Sequence, residues 1–291
     1  MHVFVTGATG WVGSAVVEDL IGAGYQVTGL ARSKDKAAKL AETGATVVHG
    51  TLDDLDLLRD AASAADAVIH TAFNHDFSRF VENAQQDRLA IETLGSALEG
   101  SGRALLVTSG VALLAPGRVA TEVDLPSSDP SYPRKSEATA RALAERGVRA
   151  ATIRLAPSVH GLGDHGFIPI LIAMARETGV SAYIGDGQNR WPGVHRLDAA
   201  RLYRLVLEKG AQPAYHAIAD EGVAFKAIAE VIGRRLGLPV ESRDREHFGW
   251  FANFAGADMP ASSARTRSEL GWATTEPDLL TDLDQPGYYP G

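Results

Sequence analysis

At 291 residues and 45% hydrophobic content, the chain can bury a full core, as one large domain or two small ones. A formal charge of −8 with no Lys/Arg-dense run argues against a nucleic-acid or anionic-membrane surface. Cysteine is absent, which removes disulfides, thiolate nucleophiles and sulfur-ligated metals. No apolar stretch reaches the roughly 20 residues of a membrane span, and "MHVFVTG" runs into a glycine turn without a basic leader. The expectation is a soluble, cytoplasmic protein.

Along the first half, short Val- and Ile-rich runs alternate with longer amphipathic stretches. The runs are "HVFVT" (2–6), "YQVTGL" (25–30), "ATVVHG" (45–50), "DAVIHTA" (66–72), "ALLVTS" (104–109) and "VRAATIRL" (148–155). Near-continuous apolar character marks parallel strands buried on both faces. Between them lie "GSAVVEDLIGAG", "KDKAAKLAETG", "DLDLLRDAASA", "SRFVENAQQDRLAIETLGSALEG" and "SEATARALAERG", with apolar residues at helical spacing and frequent closing glycines. Strict alternation predicts an α/β fold with a doubly wound parallel sheet.

After about residue 156 the rhythm changes. "APSVHGLGDHGF" reads as loop, followed by a helix "FIPILIAMARETG", a loop "IGDGQNRWPGVHRLD" and a helix "DAARLYRLVLEKG". A strand "PAYHAIA", a helix "FKAIAEVIGRRLG" and an aromatic tail "HFGWFANFAGADMP" complete this half. The tail reads as core or dimer contact in preference to an apolar lid. The expected division is a nucleotide-binding domain over 1–156 and a smaller, mainly substrate-binding lobe over 157–291, with segments returning to the first core.

"VTGATGWVG" places Gly7, Gly10 and Gly13 between the first strand and the first helix. In such a βαβ unit one glycine permits a tight turn, one lets backbone approach a pyrophosphate, and one lets helix and strand pack closely. The pyrophosphate then meets N–H groups at a helix start, where the dipole favours anions. Thr9, Trp11 and Val12 complete the predicted cradle. The second strand ends at Ala31, where an acid would bind the ribose 2′-hydroxyl of NAD. Arg32 and Ser33 follow, and these are donors suited to the 2′-phosphate of NADP. NADP(H) is therefore expected over NAD(H).

"TGATGWVG", with its Gly-x-x-Gly-x-x-Gly spacing, resembles the extended short-chain dehydrogenase/reductase superfamily, including epimerase/dehydratase and dihydroflavonol-reductase-like enzymes. "DAVIHTA" looks like that family's fourth strand, which implies that Thr71 and Ala72 pass beside the cofactor. "IRLAPSVHG", "GVHRLDAARL" and "RSELGW" resemble further family segments, so the likeness runs over nearly the whole chain. An adenine-contacting Asp follows the family's third strand; Thr51 aligns there, and Asp53 two residues on is the nearest acid.

The resemblance implies a Tyr acid, a Lys four residues later and a hydroxyl residue after the fifth strand. An unperturbed Tyr near pKa 10 relays protons poorly at neutral pH, and in the family the Lys field corrects this. "DPSYPRKSEATARAL" supplies Tyr132, but the Lys position holds Ser136, and Lys135 stands one residue early. After the fifth strand, Ser109 is the available hydroxyl and the next position is Gly110. The expected catalytic set is Tyr132, Ser109 and Lys135. His75, His165 and Phe73 are candidate substrate contacts from loops at strand C-terminal ends. A histidine is the alternative acid, and no metal site is expected.

These readings point to an NADP(H)-dependent oxidoreductase moving hydride between nicotinamide and a small or medium carbonyl/alcohol substrate. A nucleotide-sugar epimerase or dehydratase is the alternative enzyme, and a non-catalytic NADP(H)-binding regulator is the alternative outside catalysis. The helix around 79–100 is the expected homodimer contact.

Overall fold

The computed structural model describes residues 1–126, 129 and 132–290. The chain runs β1 (His2–Thr6), α1 (Trp11–Gly22), β2 (Gln26–Ala31), α2 (Lys34–Glu42), β3 (Thr46–His49), α3 (Leu55–Ala64), β4 (Ala67–His70), α4 (Phe80–Leu98), β5 (Ala104–Gly110), α5 (Ser136–Glu145) and β6 (Arg149–Leu155). It continues through β7 (Ser158–His160), α6 (Phe167–Thr178), β8 (Ser181–Tyr183), β9 (Arg190–His195), α7 (Arg196–Lys209), β10 (Ala214–Ala217), β11 (Asp220–Ala224) and α8 (Phe225–Leu236). β12 (Val240–Ser242), α9 (Ala252–Ala255), α10 (Ala264–Leu270) and α11 (Leu279–Leu283) follow.

Two compact units form. The first comprises 1–109, 125–154 and 200–215. Its sheet has the order β10-β6-β5-β4-β1-β2-β3, and β1 pairs in parallel with both β2 and β4. All six strand runs expected in the first half are present, and the α/β doubly wound fold is the observed one. Chain order reverses between β1 and β4, which opens the crevice where such sheets bind ligands. β10, from the second half of the chain, becomes the sheet's seventh strand. Leu58, Ile91, Leu94, Leu98, Leu105 and Leu143 are fully buried between helices and sheet, as expected for runs lacking alternation.

The second unit comprises 110–124, 155–199 and 216–291. It holds a three-stranded sheet, β11-β9-β7, and a two-stranded sheet, β12-β8. Its core is aromatic: Trp191 lies edge-on to Phe225 and Phe251, and Phe251 stacks on Phe254. The aromatic tail thus supplies core through Phe248 and Phe251, while Trp250 is exposed. Two segments read as family-like lock together here. The Trp272 indole N–H donates to Asp198 O at 3.0 Å, and Thr275 N donates to Asp198 Oδ1 at 3.0 Å. Among the described residues no helix is long and apolar enough to cross a membrane.

Candidate functional site

The glycine turn is fixed by steric limits. Gly7 has φ +67°, and a Cβ there would lie 2.7 Å from Ala72 N. A Cβ on Gly13 would lie 2.1 Å from Gly7 O. Side chains are excluded at both places because the turn folds tightly against the backbone leaving β4. Gly10 N donates to Gly7 O at 2.8 Å, and Thr71 Oγ1 donates to Thr6 O at 2.8 Å, stitching the two strand ends together. Gly10 is the N-cap of α1 and contributes no capping side chain. The helix therefore starts with its dipole aimed out of the turn, as an anion site requires. Thr9 and Val12 line the same turn half-buried, with Trp11 opening the helix.

At the end of β2, Arg32 is exposed and forms no ion pair among the described residues. Ser33 caps α2, its hydroxyl accepting from Lys36 N at 3.4 Å. Asp53 is exposed and accepts from Gln86 Nε2 at 2.8 Å, which turns its carboxylate toward α4.

Beneath this edge runs a buried polar chain that sequence reading did not anticipate. Thr6 Oγ1 meets His70 Nδ1 at 2.8 Å, and His70 Nε2 meets Asp87 Oδ1 at 3.0 Å. Ser136 Oγ donates to Asp87 Oδ2 at 2.5 Å and accepts from Arg134 Nε at 3.0 Å. A carboxylate only accepts, so His70 Nε2 carries a proton toward Asp87. Thr6, His70, Asp87 and Ser136 are each at most 1% exposed. Ser136 is thus a structural link between the buried Asp87 and the Arg134 guanidinium.

Arg134 sits at the surface end of this chain. Its Nη2 donates to Thr108 O at 3.3 Å, and its guanidinium carbon lies 4.2 Å over the Phe73 ring. One residue beyond Ser136, Glu137 receives a bidentate pair from Arg154, at 2.8 Å from Nε and 2.5 Å from Nη2, with both groups buried. These two anchors fix the first turn of α5 and the residues just before it.

The expected catalytic residues are less tightly gathered. Tyr132 and Lys135 both precede α5, so the i, i+3 neighbour geometry of a helix does not join them. Tyr132 is 47% exposed, with its ring edge-on to Phe80 at 6.5 Å. Lys135 Nζ donates to Asp129 O at 2.7 Å. Of the two hydroxyls ending β5, Thr108 is spent: it donates to His70 O at 2.8 Å and meets the Tyr203 hydroxyl at 2.7 Å. Burial pushes that Tyr203 hydroxyl far above its ordinary pKa. Ser109 is half-buried and has no side-chain partner among the described residues. Phe73 is edge-on to His75 at 5.3 Å, and His75 is exposed.

His160, His165 and His195 belong to the second unit. His165 is exposed, next to Asp164, whose carboxyl is pushed up to about 6 chiefly by burial. His160 is fully buried, its Nδ1 2.8 Å from Asp282 Oδ2, and its ring is edge-on to His195 at 5.5 Å. Burial first, then the neighbouring His160, lowers the His195 pKa. No group of three or more His, Asp or Glu among the described residues is arranged to hold a metal.

A β1-turn-α1 glycine cradle at the switch point of a parallel sheet defines a dinucleotide-binding fold. Residues 3–219 match the family model described as NAD dependent epimerase/dehydratase, and the chain belongs to that family. It is 47% identical over 295 residues to an uncharacterized protein of Schizosaccharomyces pombe, covering 99% of this chain and 100% of the relative. It is 29% identical over 324 residues to a 4-hydroxy-2-methyl-3-oxo-4-farnesyl-3,4-dihydroquinoline-1-oxide ketoreductase of Stigmatella aurantiaca, covering 99% and 97%. Among solved structures, a dTDP-glucose 4,6-dehydratase from Streptomyces venezuelae with NAD bound superposes with TM-score 0.79 at 21% identity, covering 99% of this chain and 97% of the other. Family members are NAD(P)-dependent enzymes. The residues of the β1–α1 turn fit such a dinucleotide, because a Cβ would fill the cradle at Gly7 and Gly13.

Proposed function

We propose that the protein is an NADP(H)-dependent oxidoreductase that reduces a carbonyl, or oxidises the matching alcohol, on a small or medium organic substrate. The observation that carries the reading is the sterically closed glycine turn, followed at the end of β2 by Ala31 and by Arg32, exposed and without an ion pair among the described residues. No carboxylate stands at Ala31 to accept from a ribose 2′-hydroxyl, and a guanidinium suits a phosphate. The dinucleotide would rest its pyrophosphate on Gly7–Gly13, with Arg32 and Ser33 at the 2′-phosphate and Thr71 and Ala72 along its path. Bound nicotinamide supplies or accepts the hydride.

Within the chain, Ser109 orients the substrate oxygen with its unspent hydroxyl, and Tyr132 exchanges the proton there. Phe73 and His75 are the proposed substrate contacts. The ketoreductase likeness favours this reading over epimerase or dehydratase chemistry, as does the absence of Lys from position 136. Arg32→Ala should weaken NADPH binding by about tenfold or more and leave NADH binding nearly unchanged, read by cofactor fluorescence. Equal losses would contradict the NADP preference. NADPH binding without turnover on any aldehyde or ketone would favour the regulator instead. Pairing of two copies through α4, which exposes Val81 and Leu89, is a proposal of the same kind. Sedimentation equilibrium should show a dimer that Val81→Glu dissociates.

A further inference from the structure

Arg134 is a cation held in place by neutral groups. Its partners are the Ser136 hydroxyl, the Thr108 carbonyl and the face of Phe73, and no carboxylate pairs with it among the described residues. The nearest anion in the chain of contacts, Asp87, is engaged by His70 and Ser136. Among the described residues, Arg134's two hydrogen bonds leave from Nε and Nη2, and its Nη1 donors have no partner there. A half-buried guanidinium with one edge clamped, one face stacked and one edge open has lost most of its rotamer freedom beforehand. Less entropy is then spent when an anion arrives.

Its location narrows what that anion is. Arg134 hangs from the C-terminal end of β5, one residue before Ser109, and rests on Phe73, which leaves the C-terminal end of β4. Open parallel sheets bind substrate and the reactive end of the dinucleotide at such strand ends. The pyrophosphate has its own cradle at α1. We infer that Arg134 receives a carboxylate of the substrate, and that the natural substrates are oxo acids or the corresponding hydroxy acids. The inference rests on the oxidoreductase reading for its substrate class. The buried relay from Thr6 to Ser136 makes sense in these terms, since Asp87 offsets the guanidinium charge while the site is empty and Ser136 transmits its hold.

The test uses pyruvate, acetoacetate and levulinate, which space the carbonyl differently from the carboxylate, each against its methyl ester. Calorimetric titration into the apo protein and into NADP⁺-saturated protein precedes assay of NADPH-dependent reduction. Wild type should bind at least one acid about tenfold or more tighter than its ester, the scale of a charge-assisted pair. Arg134→Gln should collapse that acid-to-ester ratio toward one. Arg134→Lys should keep part of it, as a point charge without the planar fork. The same ratio should govern kcat/KM. No acid preference in wild type, or a ratio unchanged in Arg134→Gln, would overturn the assignment. An equal loss of NADPH affinity in Arg134→Gln would overturn it too, giving the residue to the cofactor. Failure of NADP⁺ to bind wild type strikes the oxidoreductase reading instead, and the apo titration still reads Arg134 directly.

Discussion

The glycine turn after β1 and the segment leading into α5 both serve the C-terminal ends of the same parallel sheet, yet they are specified in opposite ways. The turn is specified by exclusion: Gly7 and Gly13 are the only residue type that fits, because backbone occupies the space a side chain would take. The α5 entry is specified by attachment: Ser136 is tied to Asp87 and Arg134, and Glu137 to Arg154. An exclusion is local and tolerates no change. An attachment is distributed, so its residue types can shift while the geometry is kept by new partners.

The comparison breaks most severely at the turn. Gly13→Ala forces a Cβ onto Gly7 O, and NADPH affinity should fall by about a hundredfold or more, near 3 kcal/mol. Fluorescence titration checks this, and an affinity within a few-fold of wild type would show that the turn has slack. At the α5 anchor, Arg154→Met strands a buried Glu137 carboxylate. It should cost about 3–5 kcal/mol in urea unfolding, whereas Glu137→Gln with Arg154→Met should recover much of that. The next effect is smaller. Ser136→Ala leaves Asp87 short of a donor and should cost about 1–3 kcal/mol. It should also reduce the acid-to-ester preference while sparing the dinucleotide, which separates the two regions.

A separate, pH-dependent effect lies in the second unit. Asp164 holds its proton to about 6 when folded, and an unfolded Asp releases it near 3.9. Between about pH 4 and 6 the native state binds more protons, so stability declines as pH rises through that window. Asp164→Asn should flatten this part of the urea-midpoint profile. An identical slope in the variant would place the titration elsewhere.

Much of the first unit was legible because its signals are local. The continuous apolar runs marked buried parallel strands, and the closing glycines marked helix ends. The seventh strand was legible as a strand in "PAYHAIA", and what no local signal gave was its place beside β6 in the first unit's sheet. The polar relay joins residues 6, 70, 87, 134 and 136, and no spacing rule links such distant positions. One clue was readable. Asp87 falls on the buried stripe of α4, among Ala84, Ala90, Ile91 and Leu94, and a carboxylate on an apolar stripe needs a partner. Arg134 carried no such mark, because its role comes from what Ser136, Thr108 and Phe73 do to it.

The most direct test of the account follows the hydride itself. NADPH deuterated at the transferable C4 position should pass its label to the carbonyl carbon of a reduced product, detected by mass spectrometry, with transfer lost in Tyr132→Phe. NADPH that binds the glycine turn yet keeps its deuterium against every aldehyde, ketone and oxo acid offered would contradict the account.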